Sequence, residues 1–167
     1  MNTNMKFRKL EKEDWPQVSS IYQQGLLTEN ATFEVDAPNW TDWNKGHLLT
    51  CRFVAELGNE IIGWSALSPV SSRCVYGGVA EVSVYVLDNY SGQKIGTKLL
   101  EQLIKESENN GIWTLQAGVF PENKGSLRIH EKLGFRKVGY REKIGKLKGI
   151  WRDTVLLERR SNKIGIE

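Results

Sequence analysis

Soft metal ligands are scarce in this sequence. Its 167 residues hold two cysteines, Cys51 and Cys74, and two histidines, His47 and His130. None of them has metal-like spacing, which argues against a zinc site. A chain of this length buries a core without a disulfide, so the expectation is a reduced, cytoplasmic protein with free thiols. No apolar run approaches the roughly 20 residues that span a bilayer, and MNTNMKFRKLEKED lacks the apolar core of a signal peptide. With four prolines, no internal repeat and no linker, residues 1–167 read as one domain. Its ordered core is expected over about 5–158, followed by a frayed polar tail over 159–167. Excess charge is also missing. A net charge of +3 and a pI near 8.8 are too mild for a nucleic-acid surface, yet compatible with a polyanionic small molecule. Two phosphate-binding signatures are absent as well: no G-x-G-x-x-G and no G-x-x-x-x-G-K-[ST] occurs.

What is present centres on residues 80–103, AEVSVYVLDNYSGQKIGTKLLEQL. Val82, Val84 and Val86 share one face of a period-two segment, with Glu81, Ser83, Tyr85 and Leu87 on the other, which predicts a strand. Ile95, Leu99, Leu100, Leu103 and Ile104 then recur at helical spacing, predicting an amphipathic helix packed on the sheet. The polar loop between them, residues 88–96, leaves the first helical N–H groups unpaired. It is either a phosphate or pyrophosphate cradle or a plain strand-to-helix turn.

The rest of the chain alternates in the same way. A strand at 5–10 precedes a helix entered at Asp14 and Pro16, with Val18, Ile21, Tyr22 and Leu26 as its apolar stripe, fading at 25–30. A loop at 31–38 leads to a weaker helix running to Leu49. Phe33, Trp40 and Trp43 cluster here, and core filling is favoured over an aromatic wall around a ligand. Strands at 52–57 and 61–67 meet at Gly58-Asn59, a hairpin signal. A loop at 68–78 carries Arg73 and Tyr76. Gly111 ends the long helix, a strand spans 112–120, and a short helix spans 126–133 with Ser126 as its N-cap. Strands at 135–141 and 151–158 close a mixed α/β pattern with antiparallel hairpins in one domain.

Three segments, EVSVYV with YSGQKIGTKLL, PENKGSLRIHEKLGFRKVGY and GIWRDTVLLERR, resemble the GNAT acetyltransferase superfamily from Lys6 to about Glu158. The last two, with Thr32-Phe33-Glu34, look like its phosphinothricin acetyltransferase branch. The resemblance implies an α/β (α+β) fold, a mostly antiparallel central sheet flanked by about four helices. It also implies acetyl-CoA as cofactor. The pyrophosphate would lie on the loop and helix start at Ser91, Gly92, Gln93, Lys94, Ile95, Gly96 and Thr97. The pantetheine arm would pair along Val84, Tyr85 and Val86, with Asn123 and Ser126 nearby. In the family loop Arg/Gln–x–x–Gly–x–Gly/Ala, this sequence keeps only Gly96, with Ser91 and Lys94 at the other two places. A long side chain and some backbone freedom are thereby lost.

Acetyl transfer to an amine requires loss of a proton from the ammonium, stabilisation of an oxyanion and quenching of a thiolate. By resemblance Glu81 is the general base, partly buried; the alternative is a strand-end glutamate in water. The N–H near Val84 is the natural oxyanion donor. His130 is either the acid that quenches the thiolate or a satisfied helix histidine. Amino-acid-like acceptors of this branch carry a carboxylate, which asks for an arginine. Arg73 is the first choice, with Tyr76, Phe33, Glu34 and Trp151 shaping the pocket. Homodimers with acceptor sites near the interface occur in the branch, so a homodimer is expected by resemblance. The implied acceptor is a phosphinothricin, methionine sulfoximine or methionine sulfone type of amino acid. A protein N-terminus or lysine, or a CoA-binding sensor without turnover, are the alternatives.

Overall fold

The two periodicities fold as read, into seven strands and four helices among the described residues. In chain order these are β1 (Met5–Lys9), α1 (Trp15–Leu27), α2 (Trp40–Gly46), β2 (Phe53–Leu57), β3 (Glu60–Pro69) and β4 (Val79–Val86). There follow α3 (Ile95–Asn109), β5 (Thr114–Val119), α4 (Lys124–Lys132), β6 (Arg136–Leu147) and β7 (Ile150–Arg160). The computed structural model describes residues 5–167; residues 1–4 of the unit expected over 1–167 lie outside the described residues.

All strands join one sheet in the order β1-β2-β3-β4-β5-β7-β6. Every pairing is antiparallel except β4 with β5, which is parallel and brief: Val79, Ala80 and Glu81 face Thr114, Leu115 and Gln116. Past Glu81 the two strands part. β4 runs on against β3 as far as the Gly63–Val86 pair, and β5 runs on against β7 as far as Val119–Val155.

The alternation in β4 decides which layer each side chain joins. Val82, Val84 and Val86 pack on the cluster built around Ile95, Leu99, Leu100 and Leu103 of α3. Those leucines are fully buried, each worth roughly 2 kcal/mol of apolar transfer. Tyr85 points to the opposite layer, where Val18 and Ile21 of α1 meet Trp43 and Trp64. Trp40 and Trp43 fill that core, as the residues suggested, stacked at 5.7 Å. Gly25 lies inside α1 because a Cβ there would sit 2.6 Å from the Tyr85 ring.

Several boundaries differ from the reading. α2 stops at Gly46, short of Leu49, and β6 extends six residues past Arg141. Ser126 does not cap α4. Asn123 does, its Oδ1 accepting from Ser126 N at 3.1 Å. The tail is not frayed at Arg159, which with Arg160 completes β7. Ser161 N donates to Trp113 O at 2.8 Å and Ser161 Oγ to Glu108 Oε1 at 2.9 Å. Arg159 reaches the same carboxylate at 3.2 Å, and Arg160 Nη1 holds Ile164 O at 3.0 Å. Polar anchors fasten this segment where apolar ones are lacking.

Candidate active site

Where β4 and β5 part, the sheet has an inner edge with no neighbouring strand. Leu87 N donates to Ile62 O at 2.9 Å, and the antiparallel register alternates from there. The backbone groups of Tyr85, Ser83 and Glu81 are therefore spent on β3, while those of Val86 and Val84 face the gap. Of the three strand residues expected along a bound arm, Val84 and Val86 offer backbone groups and Tyr85 does not; its ring packs against Tyr22 and Trp64. A cleft of about 300 Å³ occupies the gap, lined by Glu81–Tyr85, Ala117–Phe120 and residues of the 31–33 loop, α4, β6 and β7.

At one end of the gap stands the loop into α3. Gly92 (φ +78°) and Lys94 (φ +65°, ψ +11°) both adopt left-handed backbone. Lys94 therefore makes the turn usually left to glycine, against the steric cost of its Cβ. The first amide of the α3 ladder with a partner is Lys98 N, on Lys94 O at 3.0 Å; among the described residues none is found for the N–H groups of Ile95, Gly96 and Thr97. No side chain caps this end. Three consecutive free amides at the N-terminus of a 15-residue helix, with Lys94 exposed beside them, fit a diphosphate. A Cβ on Gly96 would make only ordinary contacts, the nearest 3.4 Å from Ile129. Ser91 and Gln93 N–H groups are already used, on Asp88 O and Tyr90 O.

Glu81 occupies the last paired position before the gap, opposite Gln116. Its Oε2 accepts from Gln116 Nε2 at 3.0 Å. It is exposed rather than partly buried. His130, by contrast, is buried at 5% exposure. Its Nδ1–H donates to Ser126 O at 2.7 Å, and its ring meets Phe135 edge-on at 4.9 Å. Burial lowers its pKa, against a smaller upward pull from that hydrogen bond. The neutral tautomer leaves Nε2, which has no protein partner, as an acceptor. Quenching a thiolate asks for an imidazolium that this burial disfavours. Asn123 lines the cleft, but both ends of its amide are engaged: Oδ1 caps α4 and Nδ2 donates to Asn30 O at 3.1 Å.

Among the expected acceptor residues, only Phe33 lines the cleft. It packs edge-on against Phe120 at 5.0 Å, so one of the three clustered aromatics does serve as a wall. Arg73 lies in an exposed turn, its guanidinium 5.6 Å above the Tyr76 ring, and neither lines the cleft. Glu34 and Trp151 are exposed outside it, Trp151 covered by Lys146 Nζ at 4.8 Å. Asp153 pairs locally, accepting from Tyr140 Oη at 2.6 Å and Lys143 N at 2.7 Å. The sequence reading missed Arg141 and Ile144 of β6 and Thr154 of β7, all of which line the cleft. Amid the charges of FRKVGYREK, nothing in the residue order marks Arg141.

Known proteins are similar to this chain over most of its length. An L-amino acid N-acyltransferase of Escherichia coli K12 is 28% identical over 159 residues, covering 92% of each chain. A phosphinothricin N-acetyltransferase of Alcaligenes faecalis is 30% identical over 161 residues, 93% of this chain and 82% of that one. A solved acetyltransferase from Salmonella typhimurium, with its cofactor acetyl-CoA, superposes with a TM-score of 0.85 at 25% identity over 95% of this chain and 94% of that one. The sequence pattern of the acetyltransferase (GNAT) family itself matches residues 6–135, a span that holds the parted strands, the free amides and Glu81 alike, and this chain belongs to that family.

Proposed function

We propose that this enzyme transfers the acetyl group of acetyl-CoA directly to the α-amino group of a small amino-acid analogue of the phosphinothricin, methionine sulfoximine or methionine sulfone type. The observation that carries this reading is the position of Glu81 at the mouth of the gap between β4 and β5, within an aromatic-walled cleft. Acetyl-CoA, when bound, supplies a thioester carbonyl open to attack by an amine.

The residues divide the remaining work. The free amides of Ile95, Gly96 and Thr97 hold the diphosphate, with Lys94 beside them, and the open edge at Val84 and Val86 pairs with the pantetheine arm. Glu81, steadied by Gln116, takes the proton from the acceptor ammonium. Val84 N–H is the open-edge donor for the carbonyl oxygen under attack. His130 Nε2 stands as an unpaired acceptor at the cleft wall. Both thiols lie outside the cleft lining, which favours direct transfer over an acyl-cysteine. We take the protein to be a cytoplasmic homodimer, with the exposed Val138, Tyr140, Ile150 and Trp151 on β6 and β7 as the apolar surface available for pairing.

The test is thiol release from acetyl-CoA with a panel of amino acids, including methionine sulfone, beside peptides bearing free N-terminal and lysine amines. Release with the amino acids is expected. Release with the peptides alone would move the acceptor class to proteins, and tight CoA binding with no acceptor-dependent release would make the chain a sensor.

A further inference from the structure

The charged lining of the cleft is sparse. Of its lining residues only Glu81 and Arg141 are charged near neutral pH, since burial keeps His130 neutral. The two differ in their engagement. Glu81 is bonded to Gln116, whereas among the described residues the Arg141 guanidinium has no hydrogen bond and no ion pair. An unpaired guanidinium facing a cavity is a receptor for a carboxylate, which it binds through two parallel N–H donors. A free α-amino acid carries one ammonium and one carboxylate, and this cleft offers one group of each opposite sign.

Arg141 shares the cleft face with its cross-strand partner Thr154, and a bulge follows directly after it. Between Arg141–Thr154 and Gly145–Arg152 the β6–β7 register shifts, so three residues of β6 stand opposite one of β7. Lys143 takes φ +46° in this bulge. Asp153, the residue opposite, binds it twice, through Lys143 N at 2.7 Å and Tyr140 Oη at 2.6 Å. A bulge bends its strand and re-aims the neighbouring side chains. Here Ile144 joins Arg141 at the cleft, and Gly145 lies so close to Phe33 that a Cβ would come within 3.0 Å of its ring.

We propose that Arg141 receives the α-carboxylate of the acceptor, and that Asp153, by pinning the bulge, is the positioning residue that sets where that guanidinium stands. The proposal rests on the amino-acid reading of the function given above. It assigns to β6 the role expected of Arg73, which lies outside the cleft.

The test compares methionine sulfone with its carboxamide as acceptors for the wild type and for Arg141→Ala, Arg141→Lys, Asp153→Asn and Arg73→Ala. Arg141→Ala is expected to raise the KM for the acid about 30-fold or more, the scale of a lost charge-assisted pair, with kcat changed by less than about threefold. The KM for the carboxamide and for acetyl-CoA should barely move. Arg141→Lys should recover part of the loss. Asp153→Asn should raise the acid KM by a smaller factor, about three- to tenfold, again sparing the carboxamide. Unchanged acid KM in Arg141→Ala overturns the proposal, and so does an acid-selective loss confined to Arg73→Ala. Equal losses on acid and carboxamide reduce Arg141 to a packing residue. If the wild type acetylates no amino acid, the functional reading falls first and takes this one with it; acid turnover in the wild type with an indifferent Arg141→Ala removes this one alone.

Discussion

Lys94→Gly tests whether the diphosphate is gripped by main chain or by side chain. Lys94 sits at φ +65°, ψ +11°, a conformation that costs an L-residue roughly 1–2 kcal/mol. Glycine removes that cost but adds roughly 0.5–1 kcal/mol of unfolded-chain entropy. The balance is a gain of about 0.5 kcal/mol, or about 1–2 °C in Tm for a chain of this size. The substitution also removes an exposed ammonium, worth at most about 1 kcal/mol to a nearby anion and screened by salt. The unpaired amides of Ile95, Gly96 and Thr97 stay in place. Calorimetric titration with CoA should therefore show affinity lowered by no more than about fivefold at low salt, with little difference at high salt. Scanning calorimetry of the free protein should show the small upward Tm shift. An affinity loss of roughly 50-fold, well beyond a surface charge, would locate the grip in the lysine. A lower Tm would refute the strain argument.

Glu81→Gln should lower kcat by about 10²–10³-fold near neutral pH, the usual worth of a general base, while CoA binding by titration stays as in the wild type. The deficit should narrow as pH rises and the acceptor amine loses its proton unaided; a pH–rate profile parallel to the wild type's would remove Glu81 from the mechanism. Glu108→Gln bears on stability. Burial raises the Glu108 pKa, but hydrogen bonds from Ser161, Arg159 and Lys163 outweigh it and hold the carboxyl below its ordinary value of 4.5. A depressed folded-state pKa contributes stability above the unfolded value and loses it as pH falls through the folded one. Glu108→Gln should cost about 1–2 kcal/mol at neutral pH, discounted for the exposed Lys163, and the gap to wild type should close below about pH 4. A Tm difference that is the same at both pH values would contradict this.

How far the sequence revealed the protein depended on whether periodicity carried the information. β4, its loop and α3 were legible because period two gives way to 3.6 over a single stretch. The β6 bulge was hidden because its left-handed residue is Lys143 rather than a glycine. The tail looked loose because its anchors are a serine and a glutamate 53 positions apart, a pairing with no local signal. Glu81 was found through family resemblance. Arg141 was missed because its meaning comes from its pairing with Thr154 across two strands, whereas Arg73 was chosen for a loop position that turns outward.

The brevity of the β4–β5 pairing has a mechanical consequence. Among the described residues, three residue pairs, extended by Trp113 N and Thr114 N on Gly78 O, form the main-chain seam between a four-stranded half and a three-stranded half of the sheet. A ligand lying in that seam acts as a splint, bonding both flanks at once, so its binding energy is spent on the weakest line of the fold. Donor occupancy and rigidity of the cleft are then one equilibrium: the Val84 and Val86 amides, which β3 leaves free, should exchange with solvent in the empty enzyme and be protected when the thioester arrives.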